Sequence, residues 1–568
     1  HNNPSAAGKW AQDRRIRAEL LRWLCIDKTA EGFVDLDGII VQGGKIEGAL
    51  YLSSASIRFP LEFWNCYFTD EIQLVSASVA SLRLTGSFTQ SIEADGLSVK
   101  ADVFLDDGFT AHGGVTLIGA EIHGNLQCNR GVFINPPEPD DDEDESGTAL
   151  TLQNVNVNGD VFLSDGFKAH GLVSLSGARV GGYLSCSDGS FKNPYVHGVE
   201  ESGTAIDGEF MVVAQNVELN NGFKAKGCVA LLGARIGGDL DCANGHFSNP
   251  AQKKHDEHEY SGVALESNYI NVNGNVSFTG GFVAEGETDL LGAQIAGDLE
   301  CDGATFAGVT AQRASVRQTL FWTNIKNTEG VSLDLEDASV SSLVDEEASW
   351  PKLGKLSLNR FTYKSLAEDI GVRARLQWLA LQDSFAPQPY RQLAKLLRDD
   401  GDDHGARRVL FAMENRKRND LEKRKRALGK HGWIRRLWNW IFRLTIGYGI
   451  YPSRAAWALL LLVVLGWAVY GRAYANKLLT PTNESAYETF TANGRSPDYY
   501  QHFHPLVYSA ESCFPLVKLG QSDAWTVNPK REDLLASTVR IFHWFQVALG
   551  WILATFFVAG VSGITRRD

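Results

Sequence analysis

The sequence predicts a mainly β chain: a β-solenoid, then a helical linker, then two membrane-crossing helices that bracket a re-entrant segment. Three observations carry that expectation. Four related segments recur, read from their starts as GFTAHGGVTLIGAEIHGNLQC at Gly108, GFKAHGLVSLSGARVGGYLSC at Gly166, GFKAKGCVALLGARIGGDLDC at Gly222 and GFVAEGETDLLGAQIAGDLEC at Gly281. Their cysteines Cys128, Cys186, Cys242 and Cys301 lie 58, 56 and 59 residues apart, and a fixed period of this kind marks a repeat architecture. Glycine is abundant at 56 residues while methionine numbers 2, which suits short strands separated by many turns. Finally, residues 455–470 and 541–564 are apolar for long enough, or nearly so, to cross a hydrocarbon core.

The solenoid is expected over residues 34–360. Inside each repeat small or apolar residues return about every five positions, as at Leu117, Ile122, Leu126 and Val132. That rhythm fits short solenoid sides with Gly or Asn at the corners, and one repeat is expected to make about three coils. The matched cysteines then line one interior column as small buried hydrophobes, about 14 Å apart at ~4.8 Å per coil, beyond the reach of a disulfide. Residues 1–33 form the N-terminal segment, whose amphipathic helix at 16–24 is expected to cap the open end of the coils. Three repeats carry an insertion that opens on Asn-Pro (Asn135, Asn193, Asn249) and closes on Ser-Gly (Gly147, Gly203, Gly262). Equal placement puts all three on one edge, where a ligand or protein partner is expected, the bland alternative being solvated loops. The acidic run Asp140 to Glu145 lacks the spacing of a calcium loop, and His255, Asp256 and His258 form a weak metal-ligand set. No cofactor and no metal are therefore expected. No CxxC occurs among the eight cysteines, and their free state suits a reducing compartment.

Residues 361–444 change character to helical periodicity. Helices are expected at 365–382, 389–401 and 404–428, the last ending in RKRNDLEKRKR. Arg435, Arg436, Trp438 and Trp440 follow, and Arg566 and Arg567 follow the second apolar stretch. Clustered basic residues beside tryptophan suit a membrane interface, and their position at both span ends places both termini in the cytoplasm. An inner, cytoplasmic membrane is the expected site. The net charge of −14 argues against nucleic acid as the main partner and leaves membrane lipids as the expected one.

The membrane domain is expected over 445–568, with spans at about 455–474 and 541–564. Residues 504–525 between them are apolar but too short to span, so they read as a re-entrant or interfacial segment. The repeat unit, best seen in GARIGGDLDC at 233–242, resembles bacterial pentapeptide-repeat-related proteins; that resemblance covers about 34–360 and implies a right-handed β-solenoid. The tail resembles two-transmembrane, pore-loop ion channels, with VYSAESCFPLVKLG at 507–520 standing where those channels have a pore helix and filter. The potassium signature TVGYG is absent; 515–520 read PLVKLG, and a lysine beside a filter disfavours cations.

The resemblance implies a homo-oligomeric pore, most simply a tetramer, gated by the solenoid through the linker helices. Candidate pore residues are Glu511, Pro515, Lys518 and Gly520, with His543 and Gln546 of the second span facing water. Small residues of that span, among them Gly550, Gly560 and Gly563, are expected to allow close helix packing. The rival class is a membrane-anchored solenoid scaffold without conductance. A third, a solenoid enzyme acting on polysaccharide through Asp239, Asp241 and Asp298, is disfavoured, because such substrates are mostly outside the cell. With no GxGxxG, CxxC or haem motif, no enzyme is expected.

Overall fold

In the computed structural model the described residues are all but 1–2, 31, 138–146, 197–198, 200–201, 252–261, 368–369, 428–452, 515–516, 532 and 562–568. The chain divides into two compact units, His1–Leu396 and Leu397–Asp568. The first is a β-solenoid of about 13 turns over residues 39–366. Its short strands stack coil on coil in parallel register, forming two 23-stranded sheets. Successive coils are offset by 20 residues where Ile72 lies beside Ile92, and by 23 where Val103 lies beside Leu126. Coils that carry an insertion are longer, as between His246 and Val283.

One repeat is therefore two coils, not the three the five-residue rhythm suggests. The insertion accounts for the length taken for a third coil. Packing explains why the sequence repeats every second coil. One interior column reads Phe133, Ala169, Phe191, Ala225, Phe247, Ala284, Phe306, alternating large and small in consecutive coils. Where the column holds alanine, the preceding corner supplies the ring instead: Phe167, Phe223 and Phe282. The rings interleave with centroids 4.9–5.4 Å apart from Phe109 to Phe306. At the alternate corners sit Gly131, Gly189 and Gly245, where an added Cβ would fall 2.9, 2.7 and 2.8 Å from the rings of Phe133, Phe191 and Phe247. Large-against-small pairing fills the core to ordinary density, and a uniform coil sequence would clash or leave voids.

The four repeat cysteines share another interior column, alternating with Leu163, Leu219 and Phe278. They are buried and free, two coils or roughly 10 Å apart at ~4.8 Å per coil. Burial pushes the thiols of Cys128, Cys186, Cys242 and Cys301 far above the usual range. Cys66 is pushed up to about 11 and Cys228 to about 12, again chiefly by burial. A raised pKa keeps these thiols protonated in the fold while the unfolded chain loses its protons above about pH 8.5. Their stabilisation is complete below that pH and is lost as pH rises through 9 to 11, by up to ~1.4 kcal/mol per unit per thiol. Urea unfolding of the full chain is expected to show a falling midpoint between pH 8 and 10, and Cys186→Val is expected to flatten that slope.

A ladder of Asp and Asn side chains holds one corner. The Asn125 amide donates to Asp102, the Asp160 amide to Asn125 and the Tyr183 amide to Asp160, at 2.7–2.8 Å. Further along, Asp239 donates its amide to Asn216 and accepts from the Asn275 amide at 2.6 Å, and Asp298 accepts from Thr319 at 2.7 Å. Asp241 accepts from Asn220 and from the Ala243 amide. The carboxylates weighed as catalytic thus tie coil to coil. Asp and Asn alternate in this role, so the acceptor oxygen matters and the charge does not. Asp239→Asn is expected to leave thermal stability nearly unchanged, whereas Asp239→Ala orphans an amide and costs about 1–2 kcal/mol.

The insertions leave from one corner, between the strands Val132–Ile134 and Thr148–Thr151 and their stacked counterparts. Their bases are closed by Asn135, Asn193 and Asn249, whose side-chain amides donate to Thr148, Thr204 and Val263 carbonyls at 2.7–2.9 Å. The acidic run 140–145 and His255, Asp256 and His258 lie outside the described residues.

Both ends of the coil stack are covered. At the N-terminus a strand, Arg15–Arg17, adds in parallel register, pairing Ile16 with Ile46, before helix α1 (Ala18–Ile26). Ile16 is thus part of a strand, not of the expected capping helix, because the open edge offers unpaired amides to the incoming chain. At the other end the expected helix 365–382 shortens to α2 (Val372–Ala380), since Ser365–Leu366 pair with Ser342 and Leu343 as a last strand. From α2, Arg375 makes a two-pronged ion pair with Asp345 at 2.7 Å, both side chains 2% exposed. Trp350 donates to the same carboxylate at 2.8 Å, and Trp378 lies beneath the guanidinium. Helix α3 (Gln388–Asp399) follows, with Gln388 and Gln392 donating to the carbonyls of Phe361 and Tyr363. These helices seal the solenoid.

Candidate functional site

The second unit begins with α4 (Asp403–Ala427) and continues with α5 (Ser453–Ala475), α6 (Glu484–Asn493), α7 (Pro505–Cys513), α8 (Gln521–Ala524) and α9 (Leu534–Val561). Two stretches, Ser453–Ala475 and Leu534–Val558, are long and apolar enough to cross a membrane. The second starts several residues before the expected 541. Arg435, Arg436, Trp438, Trp440, Arg566 and Arg567 lie outside the described residues, as do Pro515 and Gly563.

The chain leaves α5 into the strand Leu479–Pro481 and enters α9 from Trp525–Val527, and these two strands pair antiparallel. That pairing fixes the C-terminal end of α5 beside the N-terminal end of α9. Trp525, Tyr474, Phe490, Phe503 and Tyr508 pack around it as an aromatic cluster. Everything between 482 and 524 starts and finishes at this level. Within it α7 lies against both α5 and α9.

Two glycines make room for α7. A Cβ on Gly466 of α5 would fall 2.2 Å from Ser509 Oγ and 2.4 Å from Gln546 Nε2. One on Gly550 of α9 would fall 2.7 Å from the Cys513 backbone. Across this close approach runs a buried polar network. Gln546, fully buried, donates to Ser509 Oγ at 2.8 Å and accepts from the Tyr470 hydroxyl at 2.5 Å. Ser509 donates to the Val463 carbonyl at 2.8 Å, and His543 Nδ1 lies 3.1 Å from the Tyr470 hydroxyl. Gln546 therefore does not face water within the chain, as the sequence reading had it; it bonds three helices together. In apolar surroundings each such polar group is costly unless paired.

Glu511 has a comparable task. Its carboxylate accepts the amides of Gly520, Gln521 and Ser522 at 3.3, 2.8 and 3.0 Å and the Ser522 hydroxyl at 2.7 Å. It thus caps the start of α8 and fixes the return of the chain after α7. Gln521, 1% exposed, clasps the entry: it donates to the His502 carbonyl and accepts from the His504 amide, both at 2.9 Å. Gly520, between the two, has φ +83°, which suits glycine. Lys518 is exposed, and so are its neighbours Val517 and Leu519 at 47% and 49%.

Glu511 and Lys518, grouped by sequence as two charges of one loop, are thus separated: one is committed to internal hydrogen bonds and the other is free toward solvent. Sequence reasoning missed Gly466, Tyr470 and Ser509. The one signal for them was a glycine and a tyrosine interrupting the apolar run of α5. No family model matches this chain, and neither does any curated protein or solved structure.

Proposed function

We propose that the chain is one subunit of an oligomeric membrane pore, with Val517 to Gly520 at its constriction and the solenoid as its regulatory domain. One observation supports this reading above the others. A nine-residue helix sits between two span-length helices and is followed by the exposed Val517, Lys518 and Leu519 and by a clamped return. At ~1.5 Å per residue α7 is about 14 Å long, half of a ~30 Å hydrocarbon core. It would enter the membrane, stop midway and leave on the side it came from. Such backbone is tolerated where it meets protein or water rather than lipid.

Two spans cannot enclose a pore, so several copies, most simply four, would surround a common axis. The exposed Val517, Lys518 and Leu519 would then face that axis. With Glu511 consumed by the clamp, Lys518 is the charge left at the constriction, and a ring of lysines favours anions. The outward faces of α5 and α9, with Trp457, Leu461, Trp544 and Phe545 exposed, would meet lipid or a neighbouring subunit. In this reading the solenoid lies in the cytoplasm of a cell whose inner membrane carries the pore, and it binds a ligand or protein that sets the open probability. The test is chloride flux from proteoliposomes holding the full-length chain under a salt gradient. Flux above that of empty vesicles supports the pore. Its absence under every condition leaves the tail as an anchor and the solenoid as a membrane-attached scaffold.

A further inference from the structure

One corner of the solenoid breaks its own rule. The corner that follows the strand Thr204–Asp207 and its stacked counterparts needs a left-handed residue in every coil. Consecutive coils there hold Gly119, Asn154, Gly177, Phe210, Gly233, Tyr269 and Gly292, each amide bonding the next coil in register. Glycine and asparagine adopt this conformation readily; bulky aromatic residues are outliers in it. Yet Phe210 has φ +54° and Tyr269 φ +56°. Neither ring is used to fill the core: they are 61% and 56% exposed. Each ring turns its Cδ1–Cε1 edge to the glycine of the next coil, where a Cβ on Gly233 or Gly292 would fall 2.7–2.8 Å from those ring carbons. Most of each side chain is open to solvent.

We propose that Phe210 and Tyr269 are paired platforms for an extended, positively charged peptide with a cation or proline at every third residue. Spacing and charge select this partner. The rings are two coils apart, roughly 9.6 Å at ~4.8 Å per coil. Three residues of polyproline II cover about 9.3 Å. Carboxylates flank the rings: Asp207 and Glu209 beside Phe210, and Glu266 beside Tyr269. None of these three has an ion-pair partner among the described residues. Burial, then the charges of Asp207 and Glu266, raises Glu209 above the usual carboxylate range. On the adjoining strand Arg179 and Arg235 stand one coil to either side of Phe210, and Arg313 holds the same corner two coils past Tyr269. Cations stack on aromatic faces, and proline-rich segments dock on aromatic platforms at this period. The site is one corner away from the insertions and needs none of their residues.

The test uses the full-length chain in detergent micelles and a fluorescein-labelled peptide of three Arg-Pro-Pro units, read by anisotropy. Binding is expected, with Phe210→Gly and Tyr269→Gly each weakening it about tenfold. Glycine holds that corner in the coils beside the two rings, at Gly177, Gly233 and Gly292, so both variants are expected to melt no lower than the parent while binding the peptide more weakly. Equal binding by the glycine variants overturns the proposal. So does equal binding of a Glu-Pro-Pro peptide, tighter binding of a neutral β-linked glucan oligosaccharide, or no binding of the arginine peptide.

Discussion

Glu511→Ala is expected to release the segment after α7 while leaving α5 and α9 helical. Removing the carboxylate orphans the amides of Gln521 and Ser522, which it holds at 2.8 and 3.0 Å, and frees the Ser522 hydroxyl. Hydrogen bonds to charged groups contribute about 1.5–3 kcal/mol each, so a local loss of at least ~3 kcal/mol is expected. Amide exchange at Gln521 and Ser522 should then quicken on the order of a hundredfold, at ~1.4 kcal/mol per decade. Glu511→Gln keeps one acceptor oxygen and is expected to fall between. A Glu511 that faced a water-filled axis would behave differently: exchange at 521 and 522 would not change, and only ion preference would.

Arg375→Ala is expected to be the most damaging single change in the solenoid unit. It strips the partner from Asp345, which is buried beneath α2, and costs about 3–5 kcal/mol. Urea unfolding followed by the fluorescence of Trp350 and Trp378, which lie against the guanidinium, reads this directly. A loss below ~1 kcal/mol would show that α2 is not what closes the coil stack. The double change Asp345→Leu with Arg375→Met is expected to recover much of the loss, since packed apolar residues often replace a buried pair without penalty.

Much of the solenoid was legible because its interior columns impose a repeat that survives in the sequence. The matched cysteines announced one column, and the Asn-Pro openings announced the insertions. The coil count was misread for a physical reason. Five-residue sides give the rhythm, but insertions held by Asn135, Asn193 and Asn249 lengthen the period without adding a coil. The alternation of Phe133 with Ala169 was visible in the letters, yet its meaning depends on which residues stack. In the second unit, the two long apolar helices were legible by length and composition. The duties of Glu511 and Gln546 were not. A polar residue in an apolar stretch looks the same whether it meets water or a partner far along the chain, and Gln546 meets Tyr470, 76 residues away.

The most direct measurement is the reversal potential of single-channel currents from the full-length chain in planar bilayers under a salt gradient, beside Lys518→Glu. The pore reading predicts unitary currents that favour anions in the parent and shift toward cations in the variant. Currents whose ion preference is the same in both, or an absence of current from both, would contradict a constriction at Val517 to Gly520.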